Sequence, residues 1–249
     1  MIALRSLLFN LAFYLVLFVY LIVALPTLLM PRHALIWLVK NWSHANFWLL
    51  RVICNIRMEI VGAERIPHGA VLVGSKHQSL WETFALMTVF DDPAYVLKRE
   101  LMWIPFFGWC ARKAEMIPVD RGAGSQALTR MTENAKNEAA RGRQIIIFPE
   151  GTRRAPGAEP KYKFGVAHLY AELAIACVPV ALNSGLFWPR RSFMRYPGTI
   201  RVEILEPIAP GLDKQDFVRR LQDSIETATA RLVAEGQREL ERAGVTRAA

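Results

Sequence analysis

The spacing of apolar and polar positions divides the chain into two unequal parts. Residues 7–30 form one uncharged apolar run, its only strong interruptions Asn10 and Pro26. Such a run is long enough for a bilayer-crossing helix, which takes about 20 apolar residues. A signal peptide is the competing reading, with Arg5 as a short basic lead. The run exceeds the roughly 7–15 apolar residues usual there, and no small-residue cleavage pattern follows it. From 34 to 56 the pattern changes: Trp37, Trp42, Phe47, Trp48, Leu49 and Leu50 are mixed with Lys40, His44 and Arg51. Tryptophan interleaved with cations suits the headgroup boundary. The two segments predict a membrane helical hairpin over 1–57, the first helix deep and apolar, the second amphipathic at the surface. Pro26 leaves open whether the first helix crosses the bilayer or turns back.

From residue 58 the apolar positions come in short runs instead. Segments 58–61, 71–74, 95–97, 116–119, 145–148, 178–182 and 200–205 are rich in Val and Ile and bounded by Gly, Pro or charge, and each predicts a strand. Helical periods lie between several of them. Ser125 can cap a helix with Leu128, Met131, Ala135 and Ala139 on one face and Gly142 at its end. Asp213 can cap a longer one with Phe217, Leu221, Ile225, Ala228 and Leu232 inward. The expected fold is α/β: a mixed, largely buried sheet flanked by helices over 58–249, preceded by the two-helix membrane-embedded element over 1–57.

Composition sharpens this picture at three points. The hydrophobic fraction is 53%, with the excess concentrated in the first fifty-odd residues. The formal net charge is +9, which attracts anionic partners. Beside a lipid-facing segment such a balance favours an anionic bilayer, and no nucleic-acid motif is present. Arg32, Lys40, Arg51 and Arg57 follow the apolar run, so the domain is expected to face the cytosol. Cys54, Cys110 and Cys177 are odd in number and widely spaced, which fits reduced thiols and no disulfide framework or metal site.

Three places carry candidate chemistry. His77 follows the strand 71–74 and precedes a helix containing Phe84, Leu86, Met87 and Phe90, so it sits at a strand-to-helix turn. Imidazole is a suitable base, and a carboxylate such as Glu82 can fix its tautomer. Glu82 has a second reading: Ser79-x-x-Glu82 is also a capping box. The sequence Phe148-Pro149-Glu150-Gly151-Thr152-Arg153-Arg154 follows the most hydrophobic strand. It reads either as a phosphate clamp of backbone amides and arginines or as a tight turn with surface cations. Asp120 and Arg121 follow the strand 116–119, and Lys98 and Arg99 end its neighbour. These are either cations converging on one anion or a surface ion pair. There is no GxSxG, GxxxxGK, GxGxxG or HExxH pattern, which argues against a serine hydrolase, an ATPase, a dehydrogenase and a zinc protease.

In this order the three sites resemble the glycerolipid acyltransferase family, nearest to the 1-acylglycerol-3-phosphate (lysophosphatidic acid) acyltransferases within it. The family's first block is a His followed five positions later by an acid, matched by His77 and Glu82. Its phosphate-binding arginine is matched by Arg121, its FPEGTR block by Phe148 to Arg153, and its proline in an apolar strand by Pro179. Two positions depart from the pattern: Glu82 stands where Asp is usual, and Lys76 where Asn often precedes the His.

The resemblance implies transfer of an acyl group from acyl-CoA or acyl carrier protein to a lysophospholipid hydroxyl. His77 and Glu82 would be catalytic, and Arg121, Glu150, Gly151, Thr152 and Arg153 would hold the substrate phosphate. Lys98 and Pro179 would lie at the acyl chain or in support of the site. The backbone amides after Ser79 or near Gly151 would serve the oxyanion. No cofactor and no metal are implied beyond the thioester cosubstrate. Other acceptors fit the same chemistry: a lyso-ornithine lipid, another lysophospholipid or glycerol 3-phosphate. A non-catalytic lipid-binding protein is the reading from another class, favoured by Glu in place of Asp.

Overall fold

A computed structural model describes residues 1–120, 122 and 124–245. Arg121 lies outside the described residues. The chain opens with α1 (Ile2–Thr27) and α2 (Arg32–Cys54), an antiparallel pair joined by a short turn. The domain follows as β1 (Ile56–Val61), β2 (Leu72–Ser75), α3 (Trp81–Val89), β3 (Pro93–Lys98), α4 (Phe107–Lys113), β4 (Ile117–Val119) and α5 (Gly124–Ala140). It ends with β5 (Gln144–Ile147), α6 (Gly165–Leu173), β6 (Cys177–Leu182), α7 (Ser184–Phe187), β7 (Gly198–Ile204) and α8 (Lys214–Arg242). All seven expected strands are present, each displaced by no more than a few residues at its ends.

The strands form one mixed sheet in the order β1-β7-β6-β2-β5-β3-β4. β6, β2, β5, β3 and β4 run parallel, and β7 joins β6 antiparallel. Alternate residues of the inner strands pack on opposite faces. Val73, Ile146, Val178 and Val180 meet α1, α2 and α3, while Leu72, Ile145, Ile147 and Cys177 meet α5, α6 and α8. Strands covered on both faces have no solvent side, which is why they read as continuous apolar runs.

The hairpin is part of this core. Phe9 and Phe13 of α1 pack edge-on against Trp188 at 5.3 and 5.6 Å. Ser6 Oγ accepts the Arg195 amide at 2.8 Å, and Asn10 Oδ1 accepts from the Arg195 guanidinium at 3.0 Å. That guanidinium lies 4.2 Å over the Trp188 ring, and burial pushes its pKa down to about 10. In the most apolar window of α1 only 17% of residues are buried, and Leu15, Phe18 and Ile22 are open on its outer side. A core helix of a soluble protein would bury most of that surface.

α2 differs from the surface helix expected. Trp37 and Trp48 are exposed, but Trp42 and Phe47 turn into the domain and pack on Phe84 at 5.2 and 5.6 Å. Lys40 donates to the carbonyls of Phe90 and Asp91, and Arg32 is paired with Asp92 and Glu115. Half the aromatic residues that suggested a headgroup boundary are therefore a layer of the core. Ser125 lies inside α5, whose first residue is Gly124, so it does not cap that helix.

α8 forms as the pattern required. Asp213 accepts from the amides of Gln215 and Asp216, and Phe217, Leu221, Ile225, Ala228 and Leu232 are all buried. Replacing Asp213 with Ala removes this cap and is expected to lower the stability of the fold. In a chain of this size that is a fall of about 2–4 °C in melting temperature, readable by differential scanning fluorimetry. An unchanged melting temperature would show that the cap contributes nothing.

Candidate active site

The parallel strands end along one edge, and the candidate residues lie at those ends: His77 after β2, the 148–154 turn after β5, Ser184 after β6, and Lys98 at the end of β3. In an open parallel sheet this edge is where ligands bind.

Glu82 organises the first loop. Its side chain is fully buried in the first turn of α3, and its two oxygens receive four donors. The amides of Gln78 and Ser79 donate to Oε1 at 2.6 Å each, and the His77 ring meets the same oxygen through Nδ1 at 2.9 Å. Ser184 Oγ donates to Oε2 at 2.7 Å. Ser79 Oγ in turn accepts the Trp81 amide at 3.2 Å. The two readings of Glu82 are thus one arrangement: the carboxylate caps the start of α3 and holds the imidazole.

A carboxylate bonded to amides can only accept, so Nδ1 carries the proton of the neutral ring. Nε2 is left as the nitrogen open to the cavity. The ring is stacked on Phe148 at 3.9 Å and 16°, which fixes its plane. Tyr95 lies beyond Phe148 at 6.2 Å, and burial beside Glu82 pushes its hydroxyl well above the usual range.

The second loop is tied to the first by backbone. The Arg154 amide donates to the His77 carbonyl at 2.7 Å. Gly151, at φ +65°, takes a left-handed conformation that disfavours a side chain. Its amide donates to Phe148 O at 2.9 Å. Of the amides around the two turns, those of Gly151, Ser79 and Trp81 are committed within the fold. Thr152 is exposed, and it lines the cavity together with Arg153.

Glu150 and Pro179 are both held by contacts within the fold. Both Glu150 carboxylate oxygens are buried, one accepting from Lys76 Nζ at 3.1 Å. Glu150 thus anchors its turn, and it is also among the residues that line the cavity. Pro179 is buried in β6 opposite Gly74 of β2 and is not among the residues lining the cavity. Lys98 does line the cavity, in an ion pair with Glu100 at 3.0 Å.

The cavity holds about 1020 Å³. Its apolar part is walled by Phe13 and Leu17 of α1, Val39 of α2, Phe107 of α4, Met131 of α5 and Val166 of α6. Its polar part gathers His77, Lys98, Thr152, Arg153 and Lys163. Burial holds the Cys177 thiol at about 12 and pushes Cys110 up as well, so neither is a ready nucleophile.

Sequence reasoning missed Ser184, Lys163 and a buried charge network. Lys76 Nζ also contacts Glu226 of α8 at 2.8 and 2.9 Å, and Tyr162 donates to Glu226 at 3.0 Å. Ser184 had a signal: it follows a strand on the same edge as His77. Glu226 had none, because its partner is 150 residues away.

Residues 57–183, half of the chain, match the family described as Acyltransferase. The 1-acyl-sn-glycerol-3-phosphate acyltransferase of Pseudomonas aeruginosa is 40% identical over 166 residues, 67% of this chain and 65% of that protein. The 1-acyl-sn-glycerol-3-phosphate acyltransferase alpha of Mus musculus is 29% identical over 193 residues, 75% of this chain and 68% of that protein. The chain thus spans about two thirds of the length of these relatives. The crystal structure of the 1-acyl-sn-glycerophosphate (LPA) acyltransferase, PlsC, from Thermotoga maritima has the same fold. It aligns with a TM-score of 0.75 at 23% identity, covering 93% of this chain and 99% of that one.

The charge network generates a prediction. Lys76 is 2% exposed and Glu150 1%, so Lys76→Met leaves a buried carboxylate without its cation. The expected loss of stability is about 3 kcal/mol. Burial already raises the Glu150 pKa, against the pull of Lys76. A group whose pKa is raised by folding stabilises at low pH and loses that contribution as pH rises. The deficit of Lys76→Met should therefore be smaller at about pH 5 than at about pH 8. Equal deficits in thermal unfolding at both would contradict a charge origin.

Proposed function

The chain belongs to the Acyltransferase family, and from that premise we propose that it transfers a fatty acyl group from a thioester donor to the free hydroxyl of 1-acylglycerol 3-phosphate, making phosphatidic acid. The observation that carries this reading is the His77–Glu82 pair at 2.9 Å, with Nε2 open at the polar end of an apolar cavity of about 1020 Å³. The names of the relatives supply the acceptor. The donor is acyl-CoA or acyl carrier protein.

His77 Nε2 takes the proton of the acceptor hydroxyl, and that oxygen attacks the thioester carbonyl. The tetrahedral adduct collapses with cleavage of the carbon–sulfur bond. The imidazolium proton passes to the departing thiolate, which leaves as a free thiol, and His77 is returned to its starting form. Glu82 stabilises the imidazolium while it lasts. No acyl-enzyme is formed. Arg121, Arg153 and Thr152 hold the acceptor phosphate, with Lys163 as a further cation, and the acyl chains occupy the apolar part of the cavity.

Residues 1–57 form the membrane element in this reading, with α1 in the lipid and the active domain facing the cytosol. The lipid acceptor then arrives from the bilayer and the soluble thioester from the other side. Lys98 supports the polar rim.

General base catalysis typically contributes roughly 10²–10⁴-fold. The protein, purified in detergent and given oleoyl-lysophosphatidic acid with labelled acyl-CoA or acyl carrier protein, should make labelled phosphatidic acid. His77→Ala should lose at least about 10²-fold in kcat. A variant that keeps most of its rate would exclude His77 as the base. Product on another lysolipid alone would keep the mechanism and change the acceptor. Arg153→Ala should raise KM for the phosphate-bearing acceptor by roughly tenfold or more. An unchanged KM would remove Arg153 from the phosphate site.

A further inference from the structure

The segment between β3 and β4 carries an apolar surface that the proposed chemistry does not use. A 3-10 turn (Arg99–Trp103) leads into α4 (Phe107–Lys113), and the two sides of this segment differ. Leu101, Ile104 and Phe107 line the cavity, whereas Trp103, Phe106 and Trp109 do not. Those three are 64%, 40% and 45% exposed. Three large aromatics open to solvent within seven positions are a patch of the kind that marks a protein or membrane contact.

The presentation is built into the backbone. Phe106 is held at φ +62° and ψ −56°, closed by the Phe107 amide donating to Pro105 O at 2.7 Å. Phenylalanine in that region is strained. The ring packs on Trp109 at 5.1 Å yet stays open. The turn is also rigid: a side chain at Gly108 would meet the Met102 carbonyl at 2.1 Å, and Arg112 donates to that same carbonyl at 2.9 Å.

Two observations choose between membrane and protein. The aromatics are flanked by Lys98, Arg99, Arg112 and Lys113, against Glu100 on the same stretch and Asp120, which pairs with Arg99 at 2.8 Å, and Arg99 lies 5.6 Å over the Trp103 ring. Tryptophan among cations fits the headgroup layer of an anionic bilayer. The inner side of the segment also shares the cavity with Phe13, Leu17 and Leu21 of α1, whose outer side exposes Leu15, Phe18 and Ile22. The two elements are walls of one cavity, and each turns apolar surface outward.

We propose that segment 99–113 is a second membrane-contact element. Trp103, Phe106 and Trp109 enter the headgroup–acyl boundary of the leaflet that holds α1. The cavity then opens flush with the bilayer, and the lysolipid acceptor moves between α1 and α4 without crossing water. This rests on the reading of α1 as membrane-embedded. Interfacial binding grows with the apolar area inserted, so the segment also adds to the hold on the membrane.

The test uses the full chain in vesicles of phosphatidylethanolamine and phosphatidylglycerol with brominated acyl chains, which quench tryptophan on contact. The emission lost on making Trp103→Phe with Trp109→Phe isolates those two rings. Quenching of that difference emission is the expected result. If it keeps full intensity while the remaining tryptophans, Trp37 and Trp48 among them, are quenched, the hairpin is in lipid and segment 99–113 is in water, which overturns the proposal alone. No quenching of any tryptophan would overturn the membrane reading and the proposal with it. A second arm uses activity. The triple variant Trp103→Ser, Phe106→Ser, Trp109→Ser should turn over acceptor presented in vesicles roughly tenfold more slowly. It should stay within about twofold on a short-chain acceptor below its micelle concentration. Equal losses on both acceptors would count against the proposal.

Discussion

The site depends on one buried carboxylate that has to satisfy four donors at once. Glu82 lies in the first turn of α3, where the helix leaves amides unpaired and favours negative charge. Its Oε1 closes the amides of Gln78 and Ser79 and the imidazole of His77, and its Oε2 closes Ser184 from another element. Hydrogen bonds to a charged group are worth roughly 1.5–3 kcal/mol each, more than neutral ones. Together they tie the 77–82 loop to one carboxylate. A longer acid suits this task, because one oxygen reaches back over three residues while the other reaches across to α7.

The rest of the fold presents and shields this arrangement. β2, β5 and β6 are neighbours and parallel, so three loops meet at their ends. Gly185 follows Ser184, and a side chain there would come within 2.9 Å of both Gln78 Cβ and a Pro156 ring carbon. The first loop, the second loop and α7 therefore touch at a point where only glycine fits. On the opposite side of the sheet edge, Lys76 ties the strand before His77 to Glu150 and to Glu226 of α8. The apolar hairpin completes the structure from outside: its Phe9 and Phe13 belong to the same core as Val73 and Trp81. The apolar hairpin and the loop that carries His77 are thereby joined by continuous packing.

Much of this was legible in the sequence, for reasons that differ by element. The strands were legible because burial on both faces forces continuous Val and Ile runs, and α8 because Asp213 and a 3.6-residue period mark its start and its inner face. His77 and Glu82 were legible as a pair because they lie five positions apart, and the 148–154 turn because its motif is contiguous. What stayed hidden depends on contacts between distant segments. Glu150 and Thr152 are neighbours in one motif and both line the cavity, yet Glu150 is buried on Lys76 and Thr152 is exposed. Pro179 sits mid-strand, away from the cavity. Trp42 and Phe47 carry the composition of a membrane surface and the position of a core. Residue type alone does not separate these cases, because each is decided by what another segment brings to the same place.

The central claim is that Glu82 holds the proton of neutral His77 on Nδ1 and leaves Nε2 bare toward the cavity. Selective nitrogen-15 labelling of histidine and the ring chemical shifts of His77, assigned by its loss in His77→Ala, test this directly. The account predicts a protonated Nδ1 and an unprotonated Nε2 in the neutral ring, with that preference lost in Glu82→Gln. A neutral ring protonated on Nε2 in the unsubstituted protein would contradict it.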